Sequence, residues 1–138
     1  MANKDFIFET TVYLGDANIY GTAYFAKYFE WQGKAREAFF IKLIPDFSEF
    51  GKEVKLITIE AQTSYKKEAA LFDDIIIKLN IANIRITTFE LIFTYTSKKT
   101  GLVAATGKQK IGFTDMNDKV IPIPKELIGA WLKYSSDN

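Results

Sequence analysis

Hydrophobic and polar positions along the chain predict a strand, then one long helix, then a series of strands. Residues 5–14 carry apolar or threonine side chains at alternate positions, which indicates a first strand. Residues 23–44 hold aromatic and aliphatic side chains over so wide an arc that we expect one long, largely buried helix ending before Pro45. A polar loop from Gly15 to Gly21 separates the two elements.

The rest of the chain favours β-structure. Turn signals and alternating apolar residues predict strands over residues 53–67, 74–86, 88–97 and 102–114. We expect a bulge near Ala82–Asn83, an inward-facing Val103, and a short strand before a helix from about Lys125 to Tyr134. Because helices and strands do not alternate, the predicted fold class is α+β, an antiparallel sheet wrapped around one long central helix. Its edges need covering, so we expect a homo-oligomer in which a second copy extends the sheet.

Length and composition predict a single domain over residues 1–138, without linkers or repeats. The formal net charge of +1 gives no electrostatic case for nucleic acid or a membrane surface as a partner. The N-terminus has no signal-peptide core and no run is apolar enough to span a membrane, so we expect a cytoplasmic protein.

Two absences restrict the chemistry. The chain has no Cys and no His, which excludes thiolate nucleophiles, Cys-ligated metals and every mechanism that uses an imidazole base. The acidic residues show no spacing that argues for a metal site, and no cofactor is expected. Catalysis would have to use carboxylates, Lys, Arg, Tyr, hydroxyls, amides, backbone dipoles or water.

The loop that leads into the long helix is the first candidate site. Asn18 places a side-chain amide just ahead of the helix N-terminus, where unpaired backbone N–H groups can hold a carbonyl oxygen that gains charge. The alternative is structural: Asp16 and Asn18 are turn residues and Gly21 relieves backbone strain. Residues of this segment alone favour the structural interpretation slightly.

A second candidate lies within the helix. Tyr28, Gln32 and Arg36 are spaced by four and form one polar stripe on an otherwise apolar helix. Arg36 either pairs with a carboxylate such as Glu37 in a structural salt bridge or binds an anionic or carbonyl-bearing substrate. Gly33 indicates close packing or the approach of a ligand.

Lysines supply weaker candidates. Lys66–Lys67 and Lys108/Lys110 would suit a phosphate or an acidic carrier protein, although charged strand residues are usually only solvated.

These motifs resemble the hotdog-fold thioesterases of the 4-hydroxybenzoyl-CoA thioesterase family. Residues 16–23 (DANIYGTA) are similar to that family's catalytic loop, but Asn18 stands at its usual acid position and Thr22 at its usual His. Residues 31–39 (WQGKAREAF) are closest to its enediyne-polyketide subgroup, which releases chains from an acyl carrier protein and has Asn at the acid position.

The resemblance implies an acyl-ACP thioesterase that hydrolyses a β-ketoacyl or polyene thioester without a catalytic Asp. It implies that Asn18, Arg36 and Tyr28 are catalytic, and that backbone amides near Thr22–Phe25 assist them. The substrate-binding residues it implies are Gly21, Thr22, Tyr24, Phe25, Gln32, Gly33 and Glu37. The implied partners are an acyl carrier protein with its phosphopantetheine thioester, or a CoA thioester, and further copies of the chain in a homodimer or homotetramer.

Two other functions stay open at this point. One is a general acyl-CoA thioesterase that uses a carboxylate from elsewhere, such as Asp16 or Glu37. The other is a non-catalytic acyl-binding protein of the same fold, which would have no use for a buried guanidinium at Arg36.

Overall fold

The structure, a computed structural model, describes residues 4–136. Its strands are β1 (Phe6–Thr11), β2 (Lys55–Tyr65), β3 (Asp74–Ala82), β4 (Thr88–Ser97) and β5 (Val103–Thr114). Its helices are α1 (Lys27–Leu43), the single turn α2 (Phe47–Phe50) and α3 (Lys125–Ser136), and a 3₁₀ turn, Leu14–Asp16, follows β1.

The five strands form one sheet in the order β1-β3-β4-β5-β2, and every neighbouring pair is antiparallel. One face of the sheet packs against α1, and along β4 alternate side chains are buried on it, from Phe89 to Ser97. The core between helix and sheet is rich in aromatic and β-branched residues, among them Phe39, Phe89, Phe93, Ile75, Ile77 and Ile111. The predicted sheet wrapped around one central helix is therefore observed.

Helix α1 departs from the prediction in its start and in its burial. It begins at Lys27 rather than at residue 23, because Thr22 and Ala23 form isolated β-bridges with Ala70 and Ala17. It is not buried all round: Phe25 just before it and Phe29 within it are 58% and 39% exposed. Composition alone does not distinguish an apolar face that contacts the core from one that contacts solvent.

Three strand details also differ. Strand β3 ends at Ala82 without the predicted bulge, because Asn83 adopts a positive φ of 50° and turns the chain. Val103 is exposed rather than inward, since the pairing of β4 and β5 shifts register next to it. The short strand predicted before α3 is only an isolated bridge between Thr114 and Val120.

The two edge strands differ in length and exposure. Strand β2 has 11 residues, most of them exposed, and includes Ile57 and Ile59 on the surface. Strand β1 has only 6. A long exposed edge with apolar side chains is the kind that usually pairs with another chain.

Within residues 4–136, no helix has the length and apolar character needed to cross a membrane.

Candidate functional site

A cavity of about 420 Å³ opens at the N-terminal end of α1. It lies between the loop that precedes the helix and the segment that follows β2. Its size falls in the range of small-molecule sites. Its lining is Asn18, Tyr20, Thr22, Ala23, Tyr24, Phe25, Tyr28, Tyr65, Lys66, Lys67 and Glu68.

The side chain of Asn18 is held in one orientation by the loop itself. Its Oδ1 accepts hydrogen bonds from the backbone N–H of Tyr20 at 2.9 Å, the N–H of Thr22 at 3.3 Å and the Thr22 hydroxyl at 3.2 Å. Because backbone N–H groups only donate, the oxygen of the carboxamide must face the loop. The Nδ2 donors of Asn18 are therefore left for the cavity.

The loop needs glycine at one position. Gly21 has φ of +75°, and the backbone N–H of Gly21 donates to the Asn18 carbonyl at 3.1 Å. Only glycine adopts this conformation without strain. The structural interpretation of the loop is thus correct for Gly21 and for the oxygen of Asn18, and it leaves the amide nitrogen unexplained.

Backbone amides at the helix entrance are mostly engaged inside the protein. The N–H of Thr22 donates to Asn18 Oδ1, that of Ala23 to the Ala69 carbonyl at 2.8 Å, and that of Tyr24 to the Asp16 carbonyl at 2.8 Å. The N–H of Phe25 has no acceptor among the described residues. Of the four amides expected near Thr22–Phe25, only the last is free to bind a substrate oxygen.

Tyr28 forms the floor of the cavity and is 3% exposed. Its ring makes edge contacts with Tyr65 and Tyr95, at centroid distances of 5.1 and 5.2 Å. Burial, together with the Tyr65 and Glu68 charges, raises the pKa of Tyr28 to about 12. Its hydroxyl therefore stays protonated at neutral pH and can donate a hydrogen bond.

Gln32 and Gln109 form a buried amide layer between α1 and the sheet. Gln32 Nε2 donates to the Gln62 carbonyl at 3.0 Å and to Thr63 Oγ1 at 2.9 Å, and its Oε1 accepts from Gln109 Nε2 at 3.0 Å. Gln32 is fully buried and Gln109 is 5% exposed. Every polar atom of the Gln32 carboxamide is thus paired, as burial requires.

Arg36 joins this layer one helical turn further on. Its guanidinium donates to Gln109 Oε1 at 2.8 Å and to Thr58 Oγ1 at 2.5 Å, at the edge strand β2. Among the residues described, it forms no salt bridge, so the structural alternative, a pairing with Glu37 or another carboxylate, is not observed. Burial lowers the pKa of Arg36, while the Glu37 charge raises it. A half-buried cation without an anion is suited to a ligand that supplies one.

The predicted site residues therefore fall into two groups. Asn18, Thr22, Tyr24, Phe25 and Tyr28 line the cavity. Within one described copy, the cavity lining does not include Gly21, Gln32, Gly33, Arg36 and Glu37. Arg36 lies eight residues after Tyr28, about 12 Å along the helix axis at the usual rise per residue.

Gly33 is not explained by close packing. A Cβ built on it would meet nothing within 4 Å in the described chain. Gly107 on β5 is the glycine that close packing requires, because a Cβ there would overlap Gln32 Nε2.

The carboxylates suggested for the alternative mechanism lie elsewhere. Asp16 Oδ2 accepts from the Tyr13 N–H at 3.0 Å, and Glu37 is exposed on α1. Neither lines the cavity, whereas Glu68 does. Tyr20 belongs to the predicted loop, but the sequence carries no signal for Glu68 or Tyr65, since their place in the cavity depends on the packing of distant segments. Across residues 4–136, no three acidic side chains are grouped closely enough to hold a metal ion.

Solved structures share this fold over nearly the whole chain. The dynemicin thioesterase has a TM-score of 0.87 and 21% identity, covering 98% of this chain and 100% of that one. A variant of 4-hydroxybenzoyl-CoA thioesterase bound to 4-hydroxybenzoyl-CoA has a TM-score of 0.82 and 20% identity, covering 91% and 97%. The Staphylococcus aureus protein SAV2348, solved in complex with CoA, has a TM-score of 0.86 and 18% identity, covering 100% and 88%. These likenesses confirm the predicted hotdog fold.

A family model settles the relationship that the two motifs suggested. Among proteins with curated descriptions, none matches this sequence significantly. The model of the thioesterase-like superfamily, however, matches residues 12–132, which is most of the chain. The chain therefore belongs to the thioesterase-like superfamily, a family of thioester hydrolases.

Proposed function

We propose that the protein hydrolyses an acyl thioester carried on a pantetheine arm, and that its substrate is a β-ketoacyl or polyene chain on a carrier protein. The observation that supports thioester hydrolysis most directly is the orientation of the Asn18 carboxamide. Its oxygen is bound by the loop and its Nδ2 is left for the cavity. A carboxamide in this orientation is a hydrogen-bond donor for a carbonyl oxygen and cannot act as a base.

The proposed chemistry rests on stabilising negative charge. Water attacks the thioester carbonyl, the C–S bond breaks, and the products are a carboxylic acid and a thiol. In the tetrahedral intermediate, the carbonyl oxygen becomes an oxyanion, which accepts hydrogen bonds from Asn18 Nδ2 and the Phe25 N–H. Preorganised donors of this kind are usually among the largest contributions to catalysis of acyl transfer.

Tyr28 supplies a third donor at the floor of the cavity. Its hydroxyl is protonated at neutral pH, as that of any tyrosine is, and burial raises its pKa further, to about 12. We assign it to the β-keto oxygen or to the attacking water. None of these three groups removes a proton from water, which fits a slow enzyme.

Arg36 is proposed to act at an interface between two copies. It contacts Thr58 on β2, the long exposed edge strand, and is only half-buried in a single copy. If two copies pair along β2, each Arg36 lies at their junction and can contact a substrate carbonyl or carboxylate there. Light scattering should show at least a dimer, and a monomer at micromolar concentration would contradict this arrangement.

The choice of a carrier protein rests on resemblance. Residues 31–39 are most similar to the enediyne-polyketide subgroup, and the dynemicin thioesterase structure concerns polyene binding. A CoA thioester is the second candidate, because two other similar structures contain 4-hydroxybenzoyl-CoA and CoA. In that case Glu68 is the carboxylate available at the cavity.

The test compares matched substrates. The same β-ketoacyl chain is loaded on a polyketide carrier protein and on CoA, and the released products are quantified by mass spectrometry. We expect release from the carrier protein to be the faster reaction. Faster release from CoA would favour the general acyl-CoA thioesterase, and binding of both without release would favour the acyl-binding protein.

A further inference from the structure

We propose that Lys66 and Lys67 bind the phosphate ester at the far end of the pantetheine arm. The inference rests on the proposed function and names a second binding position in the same cavity. Both lysines line the same cavity as Asn18, at the point where the chain leaves β2. Phosphate esters at this end of the arm occur both in CoA and in loaded carrier proteins.

The backbone holds the two lysines in place. The N–H of Lys66 and the N–H of Lys67 both donate to the carbonyl of Ala104, at 2.8 and 3.0 Å. Ala104 belongs to β5 and is 1% exposed. Since both residues are anchored to a buried strand, their side chains extend from a fixed position rather than from a mobile loop.

The charges of the two lysines are available to a ligand. Five other lysines take part in salt bridges, namely Lys27, Lys52, Lys55, Lys98 and Lys108. Neither Lys66 nor Lys67 has such a partner within the described range, and the Lys66 ammonium contacts only the Ser64 hydroxyl, at 3.4 Å. Glu68 also lines the cavity, so its charged lining is two cations and one carboxylate.

The rest of the lining suits the middle of the arm. It includes the aromatic rings of Tyr24, Phe25 and Tyr65, and the ring centroids of Phe25 and Tyr65 are 6.5 Å apart. A ligand whose carbonyl meets Asn18 and whose anion meets the lysines therefore finds an aromatic surface in the same cavity. An acyl phosphopantetheine is such a ligand, with the thioester at one end and the phosphate at the other.

The test uses two probes that differ only in the phosphate. These are the non-hydrolysable thioethers S-hexyl-pantetheine and S-hexyl-4′-phosphopantetheine, and their dissociation constants are measured by titration calorimetry. We expect the wild type to bind the phosphorylated probe about fivefold or more tightly, and the difference to shrink at high salt. In the double variant Lys66→Ala, Lys67→Ala, the two probes should bind with equal affinity.

A matched control is the double variant Lys98→Ala, Lys99→Ala. It removes the same charge from another adjacent lysine pair, which does not line the cavity. We expect it to keep the wild-type preference for the phosphorylated probe. An equal loss in both double variants would overturn the proposal, because it would show a general effect of net charge.

Two further probes identify the source of the phosphate. They are S-hexyl-CoA and a carrier protein loaded with the same thioether, and each is titrated into the wild type and into the Lys66→Ala, Lys67→Ala variant. If the variant loses more affinity for S-hexyl-CoA than for the phosphopantetheine probe, the lysines bind the pyrophosphate of CoA, and an equal loss supports the phosphodiester of a carrier protein. If the variant loses affinity only for the loaded carrier protein, the proposal is overturned, since the lysines then contact the protein surface. Because these are binding measurements, they stay decisive even if no thioester is hydrolysed, which would refute only the proposed function.

Discussion

Polar side chains gather at two places along α1, around Asn18 and Tyr28 at its N-terminal end and around Gln32 and Arg36 in its middle. At the first place, the cavity is open, and Asn18 Nδ2 and the Phe25 N–H are left for a ligand. At the second, carboxamides are buried and every polar atom of Gln32 is paired within the protein.

The difference separates two uses of the same chemistry. A buried polar group without a hydrogen-bond partner lowers stability, so the groups of a buried cluster must form their hydrogen bonds with one another. A site that binds a ligand must instead leave donors unpaired where solvent can reach them until the ligand arrives. By this criterion we propose that the cavity end is the binding region and that the Gln32–Gln109 layer fixes the helix on the sheet. Arg36 belongs to both, because it is bonded to the layer and still half-exposed at β2.

The largest expected effect is a loss of stability when a side chain is added at Gly107, where the amide layer already occupies the space. In Gly107→Ala, the new methyl group overlaps Gln32 Nε2 and comes within 3.2 Å of the Gln62 carbonyl. We expect the free energy of unfolding in urea to fall by about 2 to 3 kcal/mol. Gly129→Ala is the control: it lies in α3 with nothing within 4 Å of the new Cβ, and should stabilise by about 0.5 to 1 kcal/mol. Similar losses in both variants would contradict the packing role of Gly107.

The next effect concerns Arg36, which is bonded to the amide layer and is also half-exposed at β2. Arg36→Ala should reduce thioester hydrolysis by at least about tenfold, because a charge-stabilising donor is lost, while circular dichroism shows a folded protein. Glu37→Gln changes the charge of the neighbouring exposed residue and should leave the rate unchanged. If Arg36→Ala hydrolyses the substrate at the wild-type rate, then Arg36 serves only to hold the helix on the sheet.

The smallest expected effect is a change in the pH dependence of stability when the Tyr28 hydroxyl is removed. Its pKa in the folded protein, about 12, lies above the ordinary value of 10.0, so folding favours its protonated form. The stabilisation from this protonated form is fully present below about pH 10 and is lost as the pH rises towards 12. Tyr28→Phe should therefore lose less stability than the wild type between pH 9 and pH 11, measured by urea unfolding. The exposed Tyr13→Phe serves as the control, and an equal change there would contradict the assignment.

The fold was largely predictable because its signal is local and periodic. Alternation along β4 correctly placed Phe89, Leu91, Phe93 and Tyr95 in the core, all fully buried. The start of α1 was predicted four residues too early, since Ala23 and Tyr24 are held by hydrogen bonds to Ala69 and Asp16, and such non-local bonds leave no periodic signal.

The site was predictable only in part. The motif around Asn18 predicts a site at the loop that lines the cavity, but the direction of its carboxamide is set by bonds to Tyr20 and Thr22 that have no sequence signature. The part of the lining that follows β2 reaches the cavity by packing, which joins residues as far as 40 positions apart, such as Phe25 and Tyr65. For that reason the sequence makes Lys66 and Lys67 only weak candidates, and nothing in it indicates Glu68.

Two reciprocal substitutions at the cavity test the central claim that hydrogen-bond donors rather than a carboxylate promote thioester hydrolysis. Asn18→Asp keeps the oxygen that the loop binds and removes the donor, whereas Glu68→Gln removes the one carboxylate in the cavity lining. With kcat measured on the same β-ketoacyl thioester, we expect Asn18→Asp to be slower by at least about tenfold and Glu68→Gln to match the wild type. Loss of activity in Glu68→Gln, or an Asn18→Asp variant as fast as the wild type, would contradict the account.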